Sequence, residues 1–141
     1  MNYTQHYQLP QWVDSDRIMM DDFNDLTAKL DSGLSGLVGS KAELVTGTYH
    51  GDSATSRTIS LGFTPKAVLV VAATGHMSSP HVNYRFGGLA LPDHPVTTSW
   101  GDSSGDMVLN ITTGGFQVYS DYDKDIFSNY SDYLYHYIAL R

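Results

Sequence analysis

The 141 residues are 41% apolar and include no cysteine, which suffices for one compact domain with a short appendage and excludes disulfides, thiol nucleophiles and thiolate metal sites. A net charge of −7, with Lys and Arg totalling 8 and scattered singly, excludes the basic stripe that nucleic acid requires. The longest apolar run, AVLVVAA, is far too short to cross a bilayer, and MNYTQHYQLPQW has neither the basic nor the apolar region of a signal peptide.

Residues 1–20 have no clean period. Tyr3, Tyr7, Leu9, Trp12, Val13 and Ile18 are strung along a polar background, and Pro10 favours an extended chain before it. Such a segment cannot build its own core. It is expected to lie along a neighbouring subunit or another protein as an attachment segment, or else to form an untethered leader.

Residues 21–39 change character. Asp21 or Asp22 suits a helix cap, with further acid in the first turn. Phe23, Leu26, Leu30 and Leu37 follow at heptad-like spacing, with Gly33 and Leu34 at the missing step and Met19 extending the series backwards. An isolated helix this short is marginal in water, so the stripe packs on something. Its own domain and a small parallel bundle of subunits both satisfy that need. Gly33, Gly36 and Gly39 are expected to break the helix into a hinge.

From residue 40 to 141 the period becomes two. ELVTGTYH, TSRTISLGF, PKAVLVV, NYRFGGLAL, DMVLNI, FQVYS and YLYHYIALR read as strands. PKAVLVV suggests a central strand buried on both faces. Gly87-Gly88 marks a bulge or a close backbone approach, and Thr113-Gly114-Gly115 a tight connection. The fold class expected is mainly β: an antiparallel, jelly-roll-like β-sandwich preceded by the extended segment and the short oligomerising helix. In the last strand, Leu134, His136, Ile138 and Leu140 share one face, which is expected to meet the core. Tyr133, Tyr135, Tyr137 and Ala139 share the other, where the tyrosines either meet a partner subunit or decorate the sheet.

YQLPQWVDSDRIMMDDFNDLTAKLD resembles the start of tail-fibre and tail-appendage proteins of bacteriophages and prophages, where an attachment segment leads into an oligomerising helix. GTYHGD, RTISLGFTPKAVLVV, TTGGFQVYS and SNYSDYLYHYIALR resemble the β-sandwich modules, akin to H-type lectins, that end such fibres. Gly62-Phe63, Pro65-Lys66 and Val68 match one strand element of that pattern, and Gly115-Phe116 and Val118 a second. Asn129, Tyr135, Tyr137, Ile138 and Ala139 match the closing strand, while Asp132 departs from a glycine often found there. The resemblance implies a homotrimer in a phage tail, attached to the virion through its N-terminal segment and binding carbohydrate on the host cell surface, with no nucleic acid and no membrane insertion. A virion decoration or fibre cap without its own ligand is the alternative, and a glycan-modifying hydrolase a further one.

Chemistry is sparse. No histidine pair has HxH or HExxH spacing and no nucleophile elbow appears, so no catalytic residue and no cofactor is expected. Residues 75–106 interrupt the strand rhythm with glycine, proline and serine, and loops on a rigid scaffold are where binding residues sit. His81, Tyr84, Arg85, His94, Trp100 and Asp102 are the candidate ligand-binding residues, with Asp106 as a further acceptor; Tyr84 and Trp100 equally suit a core. Asp121, Asp123, Asp125 and Asp132 partly match a calcium loop, but Ile126 replaces its glycine, so the group is a weak metal candidate beside an acidic surface turn.

Overall fold

The computed structural model describes residues 2–99 and 105–141. It divides into two compact units, Met1–Lys41 and Ala42–Arg141.

In the first unit, β1 (Asn2–Tyr3) pairs antiparallel with β2 (Pro10–Gln11). The turn between them closes when the Thr4 N–H donates to the Leu9 carbonyl at 2.9 Å and the Leu9 N–H donates to Thr4 Oγ1 at 3.0 Å. Helix α1 runs from Met20 to Ser40. The cap is not the expected one: Met19 holds the N-cap position, and its N–H donates to the Asp22 carboxylate at 2.8 Å. Asp21 and Asp22 in the first turn suit the positive end of the helix dipole.

Two expectations need correction here. Gly33, Gly36 and Gly39 do not form a hinge, because α1 passes through all of them. Glycine costs a helix about 1 kcal/mol but forbids nothing, and none of these glycines takes a positive φ. Nor is the leader untethered, although Tyr3, Tyr7, Val13 and Ile18 stay about half exposed. Trp12 stacks on Phe23 with centroids 5.8 Å apart, Lys29 donates to the Gln8 carbonyl at 3.3 Å, and Tyr7 lies beside Gly33. Segment and helix are one unit.

The second unit contains two antiparallel sheets. The first has the order β3 (Leu44–His50), β11 (Leu134–Leu140), β5 (Ala67–Ala72), β6 (Gly88–Ala90). In the second, β9 (Gly115–Asp121) pairs with β4 (Ser56–Ser60) and with β8 (Met107–Thr112), and β8 continues to β7 (Val96–Thr97). The short β10 (Ile126–Phe127) pairs with the end of β9. Val68, Val70, Tyr135 and Ala139 from the first sheet share a core with Leu109, Phe116 and Val118 from the second, all 0% exposed. The fold is therefore mainly β and sandwich-like, built as period-two patterning dictates.

The glycine signals are resolved by this packing. Thr113-Gly114 is the two-residue turn between β8 and β9, with Gly114 at φ 82°. Gly87 is a close approach: a Cβ there would collide with the Val70 carbonyl. In β5, by contrast, Val68, Val70 and Ala72 are sealed while Ala67, Leu69 and Val71 are only half-buried, so burial on both faces was overestimated.

The faces of β11 are the reverse of the expectation. Tyr135 and Ala139 are fully buried, and Tyr133 and Tyr137 pack against the same core. His136 and Ile138 face outward, and Leu134 and Leu140 are half-buried. Tyr133, Tyr135 and Tyr137 thus belong to the core-facing side of β11, with Tyr133 and Tyr137 half-buried. Tyr137 lies over Gly47, its register partner on β3, and its ring meets Phe116 edge-on at 5.1 Å. A large ring over a strand glycine and polar anchors for buried hydroxyls let tyrosine fill the interior.

Candidate functional site

Residues 77–86 form an irregular hairpin. The Ser79 N–H donates to the Tyr84 carbonyl at 2.9 Å and the Phe86 N–H to the Met77 carbonyl at 2.8 Å, with Ser78 and Arg85 bridged between them. Successive side chains on such a strand diverge. Tyr84 and Phe86 turn toward rings, Tyr84 onto Phe127 at 4.1 Å and Phe86 onto Tyr133 at 5.2 Å. Arg85 turns into a cleft of about 430 Å³, which Ser78, Asn83, Gly88, Val96 and Thr97 also line.

Arg85 is built in from several sides. Its N–H donates to the Asp125 carbonyl and its own carbonyl accepts from the Phe127 N–H, both at 2.9 Å. Its guanidinium donates to the Thr98 carbonyl at 2.9 Å and to the Asn83 carbonyl at 3.2 Å. One side chain thus ties the hairpin to the segment after β7 and fixes the width of the cleft.

The other candidates are dispersed. His81 sits exposed at the hairpin tip, and His94 is exposed in the turn that Leu91 closes. Neither lines the cleft, and Tyr84 is occupied by Phe127. Trp100 and Asp102 lie outside the described residues. Asp106 holds Lys124 at 2.8 Å, and this contact raises the ammonium pKa above its usual value. The polar lining groups Ser78, Asn83 and Thr97 were passed over in favour of histidines and rings. The signal for Ser78 and Asn83 was the turn-forming SSPHVN between apolar residues, which is what a hairpin needs.

The acidic turn does not gather its carboxylates. Asp121 caps a short 3-10 turn by accepting from the Asp123 N–H at 3.2 Å and also approaches Lys124 at 3.7 Å, while Asp125 takes a left-handed φ of 58°. Among the described residues, no three His, Asp or Glu side chains are grouped to hold a metal.

A second polar constellation joins the two loops at one end of the unit. Asn129, 0% exposed, donates from Nδ2 to Asp52 Oδ1 at 2.6 Å and to the Ala54 carbonyl at 3.1 Å. The Ala54 N–H, then Asn129, hold the Asp52 carboxyl below its ordinary pKa, and Arg57 adds an ion pair at 3.5 Å. These bonds satisfy each other and leave a rigid corner rather than a reactive one. No histidine side chain takes part, although Arg57 donates to the His50 carbonyl at 2.6 Å. Among the described residues, the histidine with a side-chain bond is His76, whose Nδ1 lies 3.1 Å from Thr74 Oγ1.

Comparison with family models, with characterised proteins and with solved structures gives no match for this chain.

Proposed function

We propose that this chain is a tip or appendage protein of a bacteriophage tail fibre. It assembles as a homotrimer through α1 and presents its β unit to carbohydrate on the host cell surface. The observation that carries the reading is the uncovered helical stripe: Phe23 is 51% exposed, Leu30 42%, Leu34 62% and Leu37 50%. A ladder of large apolar groups at heptad spacing, left open to water, is stabilised when copies of the helix bury it against one another. The resemblance of both parts of the sequence to phage fibre proteins supports the same reading. Binding needs no covalent step, and three weak sites on a rigid cap gain by avidity.

The test is the mass of the intact particle in solution by light scattering. Three copies are expected for the whole chain and one copy for residues 42–141. A monomeric whole chain overturns the trimer and with it the fibre tip.

A purely architectural role is favoured by one specific observation. Among the described residues lining the larger cleft there is no aromatic ring, and sugar sites commonly use one. Screening the trimer on a glycan array separates the two readings: the architectural one expects no binding.

A further inference from the structure

The hairpin 77–86 also borders a second depression of about 260 Å³, lined by Thr74, His76, Ser78, Ser79, Phe86 and Tyr133 among others. We propose that this depression, not the larger cleft, is a monosaccharide site that takes one neutral pyranose ring. The inference rests on the carbohydrate-binding reading above and gives it an address.

The lining has the two kinds of surface such a ring has. Phe86, 8% exposed, forms the floor, and the half-buried Tyr133 meets it edge-on with centroids 5.2 Å apart. Together they give a fixed apolar wall for the C–H face of a sugar. Thr74, Ser78 and Ser79 add hydroxyls to the lining, each able to donate and accept, and Ser78 and Ser79 are shared with the larger cleft. His76 completes the lining. Thr74 Oγ1 holds the imidazole on its Nδ1 side at 3.1 Å, so in either tautomer Nε2 keeps one hydrogen-bonding function for a ligand.

What is missing from the lining is as selective as what is present. Among the described residues, no Asp, Glu, Lys or Arg lines this depression, whereas Arg85 lines the larger cleft. A neutral, polyhydroxylated molecule suits it better than an anion or a cation. Its volume lies below the ~300–1,000 Å³ of sites that enclose a drug-sized ligand, which fits one ring with its substituents leaving into solvent. The wall is pinned as well as shaped. The Phe86 N–H donates to the Met77 carbonyl at 2.8 Å and the Tyr133 N–H to the Tyr130 carbonyl at 3.1 Å, so little ordering remains for the ligand to impose.

The test uses the full chain and a panel of methyl glycosides of glucose, galactose, rhamnose and N-acetylglucosamine, followed by saturation-transfer NMR and by shifts of the His76 and Tyr133 ring signals. At least one glycoside is expected to move both rings. His76→Ala and Thr74→Val should each weaken that glycoside about tenfold, and Tyr133→Leu should abolish its binding, whereas Asn83→Ala in the larger cleft should leave it unchanged. His76 and Thr74 are exposed, so their substitution tests the site even if Tyr133→Leu fails to fold. Binding that survives His76→Ala and Thr74→Val but falls with Asn83→Ala overturns this site and leaves the carbohydrate reading intact. Absence of binding to the whole panel and to a glycan array overturns both.

Discussion

Tyr49 on β3 and Tyr135 on β11 are register partners whose rings stack with centroids 4.8 Å apart and 15° between their planes. Each carries its hydroxyl to the same stretch of backbone. Tyr49 donates to the Ser128 carbonyl at 2.6 Å, while Tyr135 donates to the Phe127 carbonyl and accepts from the Tyr130 N–H at 3.1 Å. Ser128 itself is sealed and bonded through Oγ to Tyr119 and Val108. The pair thus fastens the segment after β10 to the first sheet.

Removing either hydroxyl leaves buried backbone groups without a partner. Tyr49→Phe and Tyr135→Phe should each destabilise the β unit by about 1–3 kcal/mol. The larger loss is expected at Tyr135, whose hydroxyl serves two groups. Urea denaturation monitored by circular dichroism measures this; unchanged midpoints for both variants would show that the anchors contribute nothing.

The same burial predicts a pH dependence. Desolvation holds both phenols above the ordinary value of 10.0. The unfolded chain therefore releases these protons first as pH rises. Their contribution is complete below pH ~10 and is lost above it, at up to about 1.4 kcal/mol per pH unit for each buried tyrosine. In an alkaline titration, part of the tyrosinate absorbance should appear only together with the loss of β structure. Ionisation of all 10 tyrosines with the fold intact would contradict it.

Asn129→Asp is the sharpest test of the polar corner. It replaces a donor to the Asp52 carboxylate with a second negative charge at a position of 0% exposure. A loss of about 3–5 kcal/mol is expected near neutral pH. Adding Asp52→Asn should recover part of it, as should acid, which protonates one of the facing carboxyls. Equal losses in the single and double variants would mean that the two side chains do not communicate.

Gly36→Ala addresses the course of α1. A Cβ at Gly36 would meet nothing within 4 Å, and the residue lies inside the helix. The substitution should stabilise the helical unit by about 1 kcal/mol, seen as a higher melting temperature of the helical signal. A decrease would restore the hinge that the glycine spacing first suggested.

Leu34→Glu and Leu37→Glu place charges on the open stripe. Both side chains are exposed within one copy, so a monomer should tolerate them with a change of about 0.5 kcal/mol or less. A trimer built on α1 should dissociate. Sedimentation of the variants reads the difference, and a trimer that persists would place the contact elsewhere.

Much of the fold was legible because alternation is a local signal. The strands around ELVTGTYH, TSRTISLGF, PKAVLVV, DMVLNI and FQVYS all form, within about three residues of their expected limits. Alternation, however, assigns residues to two faces without saying which is inside. In β11 that choice rests on the backbone of Phe127–Tyr130, which offers partners to tyrosine hydroxyls that leucine could not use. The short strands Val96–Thr97 and Ile126–Phe127 were invisible because two residues carry no period. The candidate site was less legible still. Composition directed attention to histidines and rings in one long loop, but the loop folds into a hairpin that separates His81 from His94 and borders His76 instead.

The β unit begins and finishes at one place. Leu44 pairs with Leu140, the Arg141 N–H donates to the Glu43 carbonyl at 2.9 Å, and the side chains of Arg141 and Glu43 approach to 3.4 Å. A module whose two ends adjoin can be lifted out and spliced into an exposed turn of another scaffold without stretching either backbone.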